Sequence, residues 1–177
     1  MKNKLTNRTK PLTELKKKEF LDQHLKYRLK IMNTYKLINK DSPDFQSKIP
    51  LEILGRINDC SAEAARITCR MFIEFMGLRT SKGNLISDKD YWALDGNSYE
   101  VKIVDLGGKW VDPNVLTSKE QILLTKTYET GNKATAHLTH NAPFGGDHEI
   151  IYESIDLINR LLKTNLFEIV GQNVDYQ

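Results

Sequence analysis

The central stretch of the chain, residues 57–76, reads INDCSAEAARITCRMFIEFM, and its apolar spacing decides the fold. One set of apolar residues recurs at intervals of three and four, as on a helix face: Ile57, Cys60, Ala64, Ile67, Met71, Phe75 and then Leu78. A second set widens that face: Ala65, Cys69, Phe72 and Met76. So broad a face predicts a central helix packed on several neighbours. We expect it to begin near Leu51 or Asn58, after Pro50, and to end at Met76 with Gly77 as its stop.

The chain before this helix predicts a long, basic amphipathic helix. Thr13 can cap it, and the pattern runs to about Asn39, before the break at Asp41-Ser42-Pro43. We expect residues 1–12 to be a disordered basic start. Residues 13–177 then form a single helical-bundle domain.

The chain after the central helix is less regular. Residues 79–116 contain four glycines and Pro113, which predicts an irregular insert with room for a short β element, for example in the alternating stretch Tyr99–Val104. The insert's tryptophans, Trp92 and Trp110, either pin it to the body or bind a ligand.

Two further helices follow the insert. Thr117 and Glu120 fit a capping box, which predicts a helix to about Leu138. After a turn at 141–146, Asp147 can cap a last helix, and Leu166–Val170 can form a final strand or turn. The predicted fold class is therefore mainly α: a bundle of four to five helices with an irregular insert.

Composition excludes several classes of protein. The chain has 177 residues, 40% of them hydrophobic, and no apolar run approaches the roughly 18 residues that span a bilayer. We therefore expect no membrane partner and, because the basic N-terminus lacks an apolar signal segment, a cytoplasmic location. We expect Cys60 and Cys69 to be reduced and buried. No phosphate-binding glycine motif or zinc pattern occurs, and His137, His140 and His148 are irregularly spaced, so we predict no cofactor and no metal site.

Charge is distributed unevenly along the chain. Residues 1–40 carry twelve Lys and Arg against three Asp and Glu, a net +9, whereas the remaining residues carry fourteen against twenty, a net −6. The basic helix could hold RNA phosphates through five of its side chains: Lys16, Lys17, Lys26, Arg28 and Lys30. It could equally dock on the acidic body of its own chain or of a partner, or be a solvated face.

The segment Gly131-Asn132-Lys133-Ala134-Thr135-Ala136-His137 carries the one indication of chemistry. Lys133 and His137 are one helical turn apart and share a face, and Asn132 flanks it. An imidazole can act as acid or base near neutral pH, and RNA has an internal nucleophile in its 2′-hydroxyl. In this hypothesis His137 is the acid or base, Lys133 holds the phosphate and Asn132 positions either group. The alternative is that His137 is a hydrogen-bonded residue at a helix end.

This segment resembles the signature of the HEPN superfamily, an Arg and a polar residue followed by His four to six positions on. The resemblance implies a helical bundle that often dimerises, and metal-independent endoribonucleases among its catalytic members. Gly131 occupies the expected Arg position, and Arg66 or Arg70 of the central helix could supply that charge. The resulting hypothesis is a homodimeric, RNA-associated protein of prokaryotic defence or toxin–antitoxin type, with endoribonuclease activity in its catalytic form. The alternatives are a non-catalytic protein-interaction module and a nucleotide-binding antitoxin or effector partner.

Overall fold

A computed structural model describes residues 11–39, 46–87, 101–136 and 148–173, and their side chains apart from those of residues 39 and 133–136. It confirms a mainly helical bundle with a short β element. The α-helices in these ranges are α1 (Glu14–Glu19), α2 (Lys26–Asn39), α3 (Leu51–Phe75), α4 (Ser118–Ala136), α5 (His148–Leu162) and α6 (Glu168–Val170). None of the helices described is long and apolar enough to cross a membrane.

The predicted N-terminal helix is present but changes pitch. The Thr13 hydroxyl accepts the backbone N–H of Lys16 at 3.4 Å, which confirms the predicted cap of α1. A π-helix, Phe20–Leu25, then links α1 to α2. Leu21, Leu25 and Leu29 are buried, so the apolar side of this helix faces the core.

The central helix α3 packs against α2, α4 and α5, as its broad apolar pattern predicts. Its first three turns project beyond the core, since Ala62 is its first buried residue. Cys69 is buried, but Cys60 lies on the projecting part and is exposed, so the prediction that both cysteines are buried is wrong for Cys60. The helix ends at Phe75, one residue before the predicted Met76, which is its C-cap, and Gly77 follows with a φ of +79°.

The β element lies earlier in the insert than its alternation predicts. Strands β1 (Leu78–Ser81) and β2 (Asn84–Ser87) form an antiparallel hairpin in which Leu78 pairs with Ser87. Part of the predicted strand, residues 99–100, lies outside the described residues. Ile103–Leu106, which overlaps its other end, is a 3-10 helix in which the backbone N–H of Lys102 donates to the Asp105 carboxylate at 2.8 Å. That capping contact stabilises a helical turn rather than a strand.

The last helix continues further than the sequence predicts. A π-helix, Lys163–Phe167, and then α6 extend α5 to Val170, so the expectation of a strand or turn at residues 166–170 is wrong. Leu166 and Phe167 are buried in the core, and this tertiary packing favours a helix over the strand or turn that the short apolar run predicts. Trp92 and Asp147 lie outside the described residues, whereas Trp110 packs against the core.

The predicted capping box at the start of α4 is confirmed. The backbone N–H of Thr117 donates to Glu120 Oε2 at 2.8 Å, and the backbone N–H of Glu120 donates to the Thr117 hydroxyl at 3.3 Å. The backbone hydrogen bond from Thr117 lowers the pKa of the Glu120 carboxyl, and the Thr117 hydroxyl and Arg160 lower it further against the opposing effect of burial.

We expect Thr117→Ala to lower the free energy of unfolding by about 1 kcal/mol, because the cap is lost.

Glu120 should stabilise the fold above its unfolded-state pKa of roughly 4.3, and this contribution should disappear as pH falls through its lowered folded-state pKa. Glu120→Gln should therefore weaken the acid dependence in urea unfolding followed from neutral to acidic pH. Glu19→Gln removes an exposed carboxylate outside the capping box and serves as the control. An acid dependence equal in the two variants would contradict the assignment.

Candidate functional site

The motif segment lies at the end of α4, on the side of the bundle where that helix meets α3. Asn132 is half-buried, and Lys133 lies one residue further along the helix. The remaining predicted catalytic residue, His137, lies outside the described residues, as does His140. The structure therefore locates Asn132 and Lys133 on one helix and gives no geometry for His137.

Gly131 is buried where α4 crosses α3. A Cβ atom built on Gly131 would lie 2.8 Å from Arg70 Cβ and 3.1 Å from the backbone oxygen of Arg66. Both distances are shorter than ordinary van der Waals contacts, so the helices approach this closely only with glycine at position 131. The two arginines that the sequence offers as replacements for the missing one are thus the residues against which Gly131 packs.

Arg66 is an almost fully buried cation, with 5% of its surface exposed. Its Nη1 lies 3.6 Å from Glu63 Oε1, a carboxylate whose side chain is half exposed. A charged side chain is rarely buried to this extent without a partner. Arg66 therefore places a positive charge inside the bundle, and its backbone packs against Gly131 of the motif.

Tyr35, His148 and Tyr152 form an aromatic cluster near Arg66. The Tyr35 hydroxyl shares a hydrogen bond with His148 Nδ1, and its ring centroid lies 5.2 Å from that of Tyr152. Burial and, to a smaller extent, Tyr152 raise the pKa of Tyr35 to about 12, although the positive charge of Arg66 opposes the shift. The Tyr35–His148 pair thus offers a polar contact at the bundle end where α2 and α4 finish and α5 begins.

Arg70 belongs to a separate network on α3 and α4. Its Nη2 and Nε donate to Glu74 Oε1 at 3.0 and 3.2 Å, and its guanidinium lies 5.5 Å from the centre of the Tyr128 ring. The Tyr128 hydroxyl donates to the same oxygen at 2.9 Å, and burial followed by this bond raises the pKa of Tyr128 to about 12. Because Arg70 is held by Glu74 and Tyr128, Arg66 is the better candidate for the charge beside the motif.

The five predicted RNA contacts on the N-terminal helix do not share one face. Lys26 and Lys30 are one turn apart, whereas Arg28 is two residues from each and lies roughly 200° around the axis. Lys26 is 3.5 Å from Asp22, and Lys17 donates to Glu14 at 2.7 Å. Lys16, Arg28 and Lys30 are exposed. RNA bound by these five residues would therefore have to contact more than one side of the helix.

Sequence reasoning missed the aromatic cluster. Tyr35 and His148 are 113 residues apart, and each lies in an amphipathic helix whose local pattern predicts only packing.

In the described part of the chain, no three His, Cys, Asp or Glu side chains gather as the ligands of a metal ion. Comparisons with protein-family models, curated proteins and solved structures found no match. Functional inference therefore depends on these residues and their geometry.

Proposed function

We propose that this chain is a cytoplasmic, RNA-associated protein of the HEPN type, from prokaryotic defence or a toxin–antitoxin pair, and a metal-independent endoribonuclease. One observation carries the proposal: α4 brings the motif segment against the helix of the buried Arg66, at the end of the bundle where Tyr35 meets His148. A positive charge and an amide, with a hydrogen-bonded aromatic pair at the same end of the bundle, are groups that suit a phosphodiester.

In the proposed reaction the 2′-oxygen of RNA attacks phosphorus and the bond from phosphorus to the 5′-oxygen breaks. His137 takes the proton of the 2′-hydroxyl as base or gives one to the leaving 5′-oxygen as acid. A homodimer would bring two copies of His137, one for each role. Lys133 and Asn132 would hold the phosphate, and Arg66 would supply the positive field that the HEPN pattern assigns to an arginine at position 131.

The test is cleavage of a labelled mixed RNA pool by the purified full chain in EDTA. We expect His137→Ala to reduce the rate at least 100-fold, as loss of an acid–base group typically does. Lys133→Ala should reduce it less, whereas the matched control Lys126→Ala, an exposed lysine two turns earlier on α4, should leave it unchanged. No cleavage by folded wild-type protein at high concentration, or equal cleavage by His137→Ala, would refute the enzyme.

A second candidate function, a non-catalytic assembly module, is favoured by one apolar stripe on α3. The stripe is Ile53, Ile57, Cys60, Ala64 and Ile67, spaced alternately by four and three residues. Half of the Ile53 surface is exposed, on the part of α3 that projects beyond the core, and 41% of the Ile67 surface is exposed on its packed part. This spacing is typical of a seam between two helices. Self-association of a protein that cleaves no RNA, abolished by Ile53→Lys, would support the module over the enzyme.

A further inference from the structure

A cavity of about 320 Å³ lies between the N-terminal helix and the central helix. Its volume is at the lower end of the size range of small-molecule sites. Its walls come from the π-helix and α2, from the last turns of α3, and from the residues that precede the first 3-10 helix. The side chains that matter most are Phe20, His24, Arg28, Met71, Phe75 and Lys102.

The wall from the N-terminal helix is irregular where it meets the cavity. Phe20, His24 and Leu25, which line the cavity, all belong to the π-helix Phe20–Leu25. The Phe20 and His24 rings lie 5.5 Å apart across one turn. A single π-turn within an α-helix is uncommon and is frequently found at functional sites. The helix is therefore distorted at the cavity, although its apolar pattern would allow a regular α-helix.

The polar side chains of the lining are His24, Arg28, Glu74 and Lys102, and two of them, Arg28 and Lys102, are cations. Arg28 is exposed at the cavity, and Lys102 is only 4% exposed, with its Nζ donating to the backbone oxygen of Glu74 at 3.1 Å. Glu74 is the acidic residue of the lining, and its Oε1 accepts from both Arg70 and Tyr128, which offset its charge. The Asp105 carboxylate accepts the backbone N–H of Lys102. The rest of the lining is largely apolar and aromatic.

We propose that this cavity binds a small amphipathic anion, with an apolar body against Phe20, Met71 and Phe75 and one head group at Arg28 and Lys102. A carboxylate or a phosphate suits these donors, because guanidinium and ammonium groups form short, charge-assisted hydrogen bonds with either anion. The ligand site lies outside the motif region. It goes beyond the proposed RNA function and does not depend on it.

The test is isothermal titration of the full chain with three probes that share one chain length: decanoate, decyl phosphate and decanol. We expect at least one anion to bind ten-fold or more tightly than decanol, and the stronger anion identifies the head-group class. Arg28→Gln should weaken anion binding about ten-fold, through loss of a charge-assisted contact. Arg56→Gln, an exposed arginine near the start of α3, should leave the affinity within two-fold of wild type.

A second variant tests the apolar part of the cavity. Met71→Trp adds bulk to the wall of the cavity and should weaken binding of every probe at least ten-fold, while circular dichroism shows that the helices remain. Equal affinity for decanoate, decyl phosphate and decanol would refute the cationic recognition. Undiminished binding by folded Met71→Trp would place the probes elsewhere, and absence of binding by all three probes to wild type would refute the site.

Discussion

Replacement of Gly77 by alanine should lower the free energy of unfolding by about 4 kcal/mol. Gly77 has a φ of +79°, a conformation that costs a residue with a Cβ atom about 1 kcal/mol or more. A Cβ atom there would also lie 2.1 Å from Trp110 Cε3, and overpacking of this kind costs about 1–3 kcal/mol. The backbone beside Trp110 is held in place, because the backbone N–H of Val111 donates to the backbone oxygen of Met76 at 3.2 Å.

Two controls separate the backbone cost from the steric cost. Gly83 has a φ of +76°, but a Cβ atom there would meet nothing within 4 Å, so Gly83→Ala should cost only about 1 kcal/mol. In a Trp110→Ala background, Gly77→Ala should cost about as much as Gly83→Ala, because the clashing ring is absent. Urea unfolding of the four variants measures both differences. Equal losses for Gly77→Ala and Gly83→Ala in the wild-type background would show that Trp110 does not cover Gly77.

Both partners in this contact could be recognised in the sequence, but the contact itself could not. Gly77 follows an apolar helix pattern, and a tryptophan in an irregular insert is expected to anchor it. The Thr13 cap and the capping box of Thr117 and Glu120 were also predictable. Each of these signals lies within four residues of chain, where helix geometry determines which groups are in contact. The approach of Trp110 to Gly77 depends on how the insert folds back on α3.

The position of the β element shows why local patterns can mislead. The residues that join β1 to β2, Lys82 and Gly83, have φ angles of +51° and +76°, as a two-residue hairpin turn requires. Asparagine or glycine usually occupies the first of these positions, so with lysine at position 82 the sequence does not predict the turn. The alternation at Tyr99–Val104 is the stronger pattern for a strand. Its final residues instead form the helical turn capped by Asp105.

The candidate sites divide in the same way. Asn132 and Gly131 can be recognised because they belong to one short motif, and Arg66 is one of two candidates that this motif suggests for the missing charge. Tyr35 and His148 come from helices whose patterns indicate only core packing. The cavity was also hidden, because its cations come from Arg28 on one helix and Lys102 in the insert. Sequence spacing can identify residues that share a helix face. It cannot identify side chains that meet only when separate helices pack.

Gly131→Arg, which introduces the residue that the HEPN signature has at the corresponding position, should destabilise the protein by about 3 kcal/mol or more. A Cβ atom at 131 would lie 2.8 Å from Arg70 Cβ and 3.1 Å from the backbone oxygen of Arg66. Neither atom is the far end of a flexible side chain, so α3 and α4 would have to separate. Gly131→Ala should also be destabilising, by about 1 kcal/mol, because the clash outweighs the roughly 1 kcal/mol gain in helix propensity.

Gly55→Ala on α3 is the matched control, since a Cβ atom there would meet nothing within 4 Å. It should stabilise the protein by roughly 0.5–1 kcal/mol through helix propensity alone. Opposite signs for alanine at positions 131 and 55, measured by urea unfolding, would show that close helix packing requires Gly131. A Gly131→Arg variant that kept wild-type stability and cleaved RNA faster would mean the reverse. Position 131 would then have room for the signature arginine, and Arg66 would not be its substitute.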